Sequence, residues 1–171
     1  LPLPLVFAPR AGGLSVVQEA RIALADRRAA AVVVYVDSTG GSATASEAIA
    51  AALQKVAVKK PLVAVMGPVA ASGGYYVCTP AQWITAQPGT LTGSIGVVSG
   101  KLVATGLLDN LLFHRESIVR GLHADFGSTD KPFSENELKI VRDNIQRVYN
   151  VFIDRVTASR RSSSESAIAA D

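Results

Sequence analysis

The sequence predicts an α/β fold built on a mostly parallel sheet. Three observations carry that expectation. Two continuous apolar runs, "AAAVVVYVD" (29–37) and "PLVAVMG" (61–67), read as strands buried on both faces. Helical patterns precede and follow each run. Glycine-bearing breaks, "STGG" (38–41) and "SGG" (72–74), separate strand from helix. Such repeated strand–helix units give parallel neighbours joined by right-handed crossovers.

The elements follow in order. Residues 14–28, "LSVVQEARIALADRR", predict an amphipathic helix, with Val16, Ala20, Ile22, Leu24 and Ala25 near one side and charges opposite. The strand at 29–37 comes next, and "STGGSA" ends it. Thr44 and Glu47 in "TASE" match a capping box and predict a helix through about Lys55. After the strand at 61–67, "ASGGYYVC" (71–78) starts another helix. "WITAQP" (83–88) reads as a short strand, and "GTLTGSIGVVSG" (89–100) as a loop flanking a strand. "KLVATGLLDNLLF" (101–113) reads as helix and "ESIVRG" (116–121) as strand. Ser134 and Glu137 repeat the capping box. The helix they open carries Leu138, Val141, Ile145, Val148, Phe152 and Val156 on one stripe, which favours the core over an oligomer contact. It extends to about Ser159, about 37 Å at the usual rise. Ser162 and Glu165 mark one more helix start, and "SSSES" (162–166) reads as a loop.

Composition narrows the function. At 171 residues, 49% of them hydrophobic and 18% charged, the chain suffices for one domain, residues 1–171, with its own core. The net charge of +3 sits in scattered pairs such as Arg27-Arg28 and Lys59-Lys60. Pairs of that kind are solvated helix ends, so no nucleic-acid partner is expected. Cys78 is the single cysteine, which excludes an internal disulfide; with two histidines, no metal site is expected. The longest apolar run, Ala29 to Val36, is eight residues, against roughly twenty for a membrane-spanning helix. The ends, "LPLPLVFAP" and "AIAAD", read as those of a fragment.

The stretch "VAASGGYYVCTP" (69–80) sets one serine among small residues directly after an apolar run. "AASGG" is close to the G-x-S-x-G nucleophile elbow, with Ala70 in place of the first glycine. A strand that turns sharply into a helix needs small residues on both sides of the turn. Ser72 would then face a cleft at the helix N-terminus, where amides and the helix dipole stabilise an oxyanion. The plainer alternative is a helix N-cap. Gly40 and Gly41 in "DSTGG" end the preceding strand. Loops at the carboxyl ends of neighbouring parallel strands share a crevice. The two glycines either bring amides to it or form a simple turn.

A nucleophilic serine needs a base. His114 lies beside the expected strand at 116–121 and His123 in a polar stretch, and neither is well placed by the sequence. A desolvated lysine can lose its proton near neutral pH and serve instead.

Together these motifs resemble one family, signal peptide peptidase A, also called protease IV. Its marks are "VVYVDSTGGSATASEAI", "KKPLVAVMGPVAASGGYYV" and "ITAQPGTLTGSIGVV", in that order, and the resemblance covers Leu14 to Asp171. It implies a Clp-protease/crotonase-like α/β fold and a serine–lysine peptidase. Ser72 matches the nucleophile. Gly41, with its neighbour Gly40, matches the backbone oxyanion donor, and the Gly73 amide the second donor. Ser94 in "TGSIG" matches the serine that orients the catalytic lysine. The resemblance further implies apolar peptides such as cleaved signal peptides as substrates, a homo-oligomer, and no cofactor. It implies membrane association, with the catalytic domain on the extracytoplasmic side.

The departure from the family is at the lysine. Short members carry it in a stretch resembling G-x-x-K-D. Here "GLHAD" (121–125) places Ala124 at that position, and alanine has no amine. Long members contain two tandem copies, with the serine in the second and the lysine in the first. "DSTGGSATASE" and "TPAQWITAQPGTLTGSIGVV" resemble the second copy. The resemblance therefore implies the carboxyl-side half of a long-type enzyme, with the base on a missing lysine-bearing half. Three alternatives stay open: an engineered change at Ala124, another lysine with Lys131 nearest in sequence, or a non-catalytic peptide-binding or scaffold homologue. The rival enzyme on this fold is a crotonase-like acyl-CoA enzyme.

Overall fold

The computed structural model describes residues 12–113 and 116–168. They form two compact units, 12–96 with 150–168, and 97–149. The first unit contains α1 (Gly13–Ala25), β1 (Val32–Ser38), α2 (Ala43–Ala57), β2 (Leu62–Ala71), α3 (Gly73–Cys78), β3 (Trp83–Thr85) and β4 (Leu91–Gly93). The second contains α4 (Thr105–Asn110) and the start of α5 (Glu135–Ile168), which from Asn150 onward belongs to the first.

Every ladder in the sheet is parallel, as the alternation of strands and helices requires. β2 is central: β1 runs along one stretch of it, β3 along Val63–Val65, and β4 along Val69–Ala71. Val36, Leu62, Ala64 and Met66 turn inward from the sheet. They meet Ala20 of α1, Ala50, Leu53 and Val56 of α2, Tyr75, Tyr76 and Cys78 of α3, and Phe152 of α5. The expectation of strands buried on both faces holds for one face only. Among the described residues, Val33 and Tyr35 of β1 and Trp83 of β3 are 65%, 63% and 58% exposed. With side chains alternating along a strand, these positions line the second face.

Several boundaries differ from the sequence reading, each for a local reason. β2 does not stop at Gly67 but continues to Ala71. Between the pairs Val36–Met66 and Ser38–Ala70, one residue of β1 faces three of β2. Pro68, which has no N–H, sits in that bulge, where a ladder bond is not required. The freed groups find side chains: the Asp37 carboxylate accepts from the Val69 amide (3.4 Å), and the Thr90 hydroxyl donates to the Gly67 carbonyl (2.9 Å). α2 is capped by Ser42, whose hydroxyl accepts from the Ala45 amide (3.3 Å), not by Thr44. Glu47 is consequently free of the expected capping box. α1 ends at Ala25 rather than residue 28, and the Lys60 ammonium takes the carbonyls of Ala23 and Asp26 (2.6 Å each) at its C-terminus.

In the second unit, the Ser134–Glu137 capping box forms as expected, with Glu137 accepting from the Ser134 amide (2.8 Å) and hydroxyl (2.9 Å). Those bonds hold the Glu137 carboxyl below its ordinary value. Only Thr105–Asn110 of the helix expected over 101–113 is helical. Leu102, Leu107 and Leu111 are exposed, so no packed face sustains a longer helix. The strand expected over 116–121 is absent from the described residues; Ile118 is exposed and no strand pairs there. α5 runs unbroken through 162–166, where a loop and a new helix start were expected, and is about 51 Å long at the usual rise. Of its expected apolar stripe, Phe152 is buried and Val156 packs on the core, while Leu138, Val141, Ile145 and Val148 are half-buried.

Cys78 is fully buried, and its Sγ donates to the Gly74 carbonyl (3.3 Å). Burial pushes the thiol up to about 12 from its ordinary 9.0. A native sample at pH 8 is therefore expected to resist alkylation, with intact-mass measurements showing modification only as the chain unfolds. Because the folded value lies above the unfolded one, the contribution to stability is complete below pH 9.0 and is lost as pH rises toward 12.

Candidate active site

Ser72 stands where β2 turns into α3, with φ 51° and ψ −119°. That conformation is costly for a residue with a Cβ. Two backbone bonds hold it. The Ser72 amide donates to the Gly93 carbonyl at the end of β4 (2.8 Å), and the Tyr76 amide donates to the Ser72 carbonyl (2.9 Å). The Ser72 hydroxyl makes no capping hydrogen bond, so the plain N-cap role is not the one it takes. Ser72 is half-buried.

The small residues around it are sterically required. A Cβ on Gly73 would lie 2.5 Å from the Ser46 hydroxyl, and one on Gly74 would lie 2.5 Å from the Ser38 carbonyl. The β1–α2 loop rests directly on the turn: a Cβ on Gly40 (φ 100°) would be 2.8 Å from both the Gly73 amide nitrogen and the Ser72 Cβ. The Ser38 hydroxyl accepts from the Gly40 amide (3.1 Å) and helps shape this loop. Gly41 (φ 150°) differs, since a Cβ there would meet nothing within 4 Å. Gly40, Gly41, Ser72 and Gly73 are thus one cluster, with Gly41 on its open side. Ser94 (φ 52°) directly follows Gly93, the residue that receives the Ser72 amide, and is exposed.

The candidate bases are placed differently. The first unit contains no histidine, and its lysines are Lys55, Lys59 and Lys60. All three precede β2, whereas Ser72 follows its end. Ten strand residues separate them, about 30 Å at the usual rise. Lys101, Lys131 and Lys139 belong to the second unit. Lys101 donates to the Phe126 carbonyl (3.3 Å) and lies over the Phe133 ring (4.2 Å), and Lys139 pairs with Asp143 (2.7 Å). Lys131 is ion-paired with Asp125, whose carboxylate raises the ammonium above its ordinary value and keeps it charged. Ala124 is an exposed turn residue of the same unit, its amide donating to Gly121 (3.4 Å). His123 is exposed, and His114 lies outside the described residues.

One group was invisible to the sequence reading. The Glu47 carboxylate accepts from the Tyr76 hydroxyl through Oε2 and from Arg155 Nη2 through Oε1 (2.5 Å). Burial and the Glu47 carboxylate push the Tyr76 hydroxyl up to about 12.

The sequence pattern described as peptidase family S49 matches residues 54–170, more than half of the chain. The chain belongs to peptidase family S49. This S49 chain is 37% identical over 155 residues to "Protease 4" of Salmonella typhi, covering 90% of this chain and 25% of that protein. It is 34% identical over 131 residues to "Serine protease SPPA, chloroplastic" of Arabidopsis thaliana, covering 76% of this chain and 19% of that protein. Against "Protease 4" of Haemophilus influenzae it is 34% identical over 162 residues, 88% of this chain and 25% of that protein. The family that the three motifs resemble is therefore the family found. The S49 chain spans a quarter or less of the length of these relatives.

Proposed function

We propose that this S49 chain is the serine-bearing part of a serine endopeptidase that cleaves apolar peptides. The observation that carries the reading is the turn at Ser72. Its hydroxyl is unused by the helix, its backbone is strained, and the Gly40–Gly41 loop lies against it. In the proposed reaction a neutral lysine amine takes the proton from Ser72 Oγ as that oxygen attacks the substrate carbonyl. The amides of Gly41 and Gly73 receive the developing oxyanion. The lysine ammonium then protonates the departing amine. Water, activated by the same lysine, releases the acyl group and restores Ser72.

The lysine comes from outside these residues. Support comes from the lysines of the first unit, all before the far end of β2, and from Lys131, held charged by Asp125. Ser94 is proposed to orient the incoming amine, placed for it by its neighbour Gly93. The missing lysine-bearing half, a homo-oligomer and membrane association on the extracytoplasmic side belong to the same proposal. Among the described residues, no helix is long and apolar enough to cross a membrane.

The test is hydrolysis of an apolar reporter peptide by this chain and by the intact natural protein, each beside its Ser72→Ala variant. Serine-dependent turnover only in the intact protein is expected. Serine-dependent turnover by the chain alone would place the base among its own residues or those of a second copy. Peptide binding without turnover in every preparation would favour the scaffold reading.

A further inference from the structure

We infer that Glu47 is a positioning residue that holds the two sides of the proposed oxyanion site in register. The inference rests on the peptidase reading above. The amides assigned to the oxyanion come from two separate segments: the loop after β1, which leads into α2, and the turn that opens α3. Where Gly40 and Gly41 approach Gly73, neither segment has a side chain with which to fix a spacing. A Cβ at Gly40 or Gly73 has no room, so neither segment can carry a larger residue at the contact. Side chains from the next turn of each helix are placed to supply that alignment.

Glu47 and Tyr76 occupy those turns. Glu47 lies six residues beyond Gly41 and Tyr76 three beyond Gly73. The Tyr76 hydroxyl donates to Glu47 Oε2, which ties α3 to α2 directly. Arg155 of α5 donates to Glu47 Oε1, so both carboxylate oxygens are engaged and the side chain cannot rotate without losing a bond. Phe152, one helical turn before Arg155, seats the Tyr76 ring edge-on with centroids 5.0 Å apart. Ser46, beside Glu47, bonds back to the Ser42 carbonyl (3.0 Å) and stands against Gly73. The carboxylate joins side chains of α2, α3 and α5. Hydrogen bonds to a charged acceptor are about twice as strong as neutral ones, which suits a clamp between two helices.

The test uses Tyr76→Phe and Glu47→Gln in the intact natural protein. Tyr76→Phe deletes only the hydroxyl and keeps the ring on Phe152. Glu47→Gln removes the charge that pairs with Arg155, so the two charge-assisted bonds become at best neutral ones. Each is expected to lower kcat about tenfold with KM changed less than about twofold, since misplacement of well under an ångström already slows an oriented reaction. Affinity for a peptide aldehyde, which forms a tetrahedral adduct on a serine, is expected to fall with kcat. Affinity for the cleaved product peptide is expected to hold. Arg155→Lys, which keeps one cationic donor, is expected to retain turnover that Arg155→Ala loses. Unchanged kcat in both variants would overturn the inference and leave the peptidase reading intact. So would a parallel fall in aldehyde and product affinity, the mark of a merely structural role. Absence of any Ser72-dependent adduct in the unmodified protein would overturn the peptidase reading, and the positioning role with it.

Discussion

Replacing Ser72 by glycine is expected to end hydrolysis and raise the melting temperature together. The two effects have separate origins. Removing the nucleophile of a serine peptidase typically costs about six orders of magnitude in kcat. The stability effect comes from the backbone. At φ 51° and ψ −119°, Ser72 is in a region that costs of order 1–3 kcal/mol for a residue with a Cβ. Glycine removes that cost but loses roughly 0.5–1 kcal/mol through its freer unfolded chain. The net gain is about 1 kcal/mol, or roughly 2–4 °C in Tm for a chain of this size. Ser72→Ala keeps the Cβ and the strain, so it should be equally inactive with Tm near that of the unmodified protein. Calorimetry on the two variants beside a turnover assay separates the contributions. A glycine variant no more stable than the alanine variant would mean that the turn is not strained. Residual turnover in both would remove Ser72 from the chemistry.

The parts of this molecule legible in the sequence are those whose causes are local. Two continuous runs of β-branched and small apolar residues announced β1 and β2, and their parallel pairing followed from the helix between them. The small residues around Ser72 were legible for the same reason: a tight turn excludes Cβ atoms, and that exclusion is written at adjacent positions. Even here local rules erred by a few residues. "TASE" satisfies the capping-box pattern, yet Ser42 captured the helix start two residues earlier. The strand was expected over 61–67, and the chain instead bulged past Pro68 and continued to Ala71.

Features set by distant partners were not legible. Glu47 meets Tyr76 across 29 residues and Arg155 across 108, and no periodicity links them. The expected strand at 116–121 has ordinary strand composition, but a strand exists only where another pairs with it. The polar run at 162–166 reads as a loop by composition, yet it continues a helix already nucleated some thirty residues earlier. Propagation adds a bond per residue and tolerates a few weak formers that could never nucleate alone. The base is a different case. The sequence showed that Ala124 supplies no amine, and the lysines of the first unit all precede the strand that Ser72 follows.

Alanine at Gly40 and alanine at Gly41 are expected to fail in different ways, although the residues are neighbours. At Gly40 the new Cβ would lie 2.8 Å from the Gly73 amide nitrogen and from the Ser72 Cβ. Neither atom belongs to a flexible side chain that could swing away. With φ at 100°, the backbone is also unfavourable for alanine. Overpacking and strain together should cost about 2–4 kcal/mol. The loop and the turn must separate to admit the methyl group, so turnover should fall at least about a hundredfold. At Gly41 the Cβ meets nothing, and the cost to folding is limited to a φ of 150°, about 1 kcal/mol. Its methyl group would instead occupy the open side of the cluster, where the reading places the substrate carbonyl. Denaturant titration should therefore show Gly40→Ala markedly destabilised and Gly41→Ala nearly intact, while a peptide assay shows both impaired. A Gly40→Ala variant of normal stability would mean that the loop does not rest on the serine turn. Full turnover in Gly41→Ala would place the substrate elsewhere, because a methyl group beside a reacting carbonyl cannot be neutral to its approach.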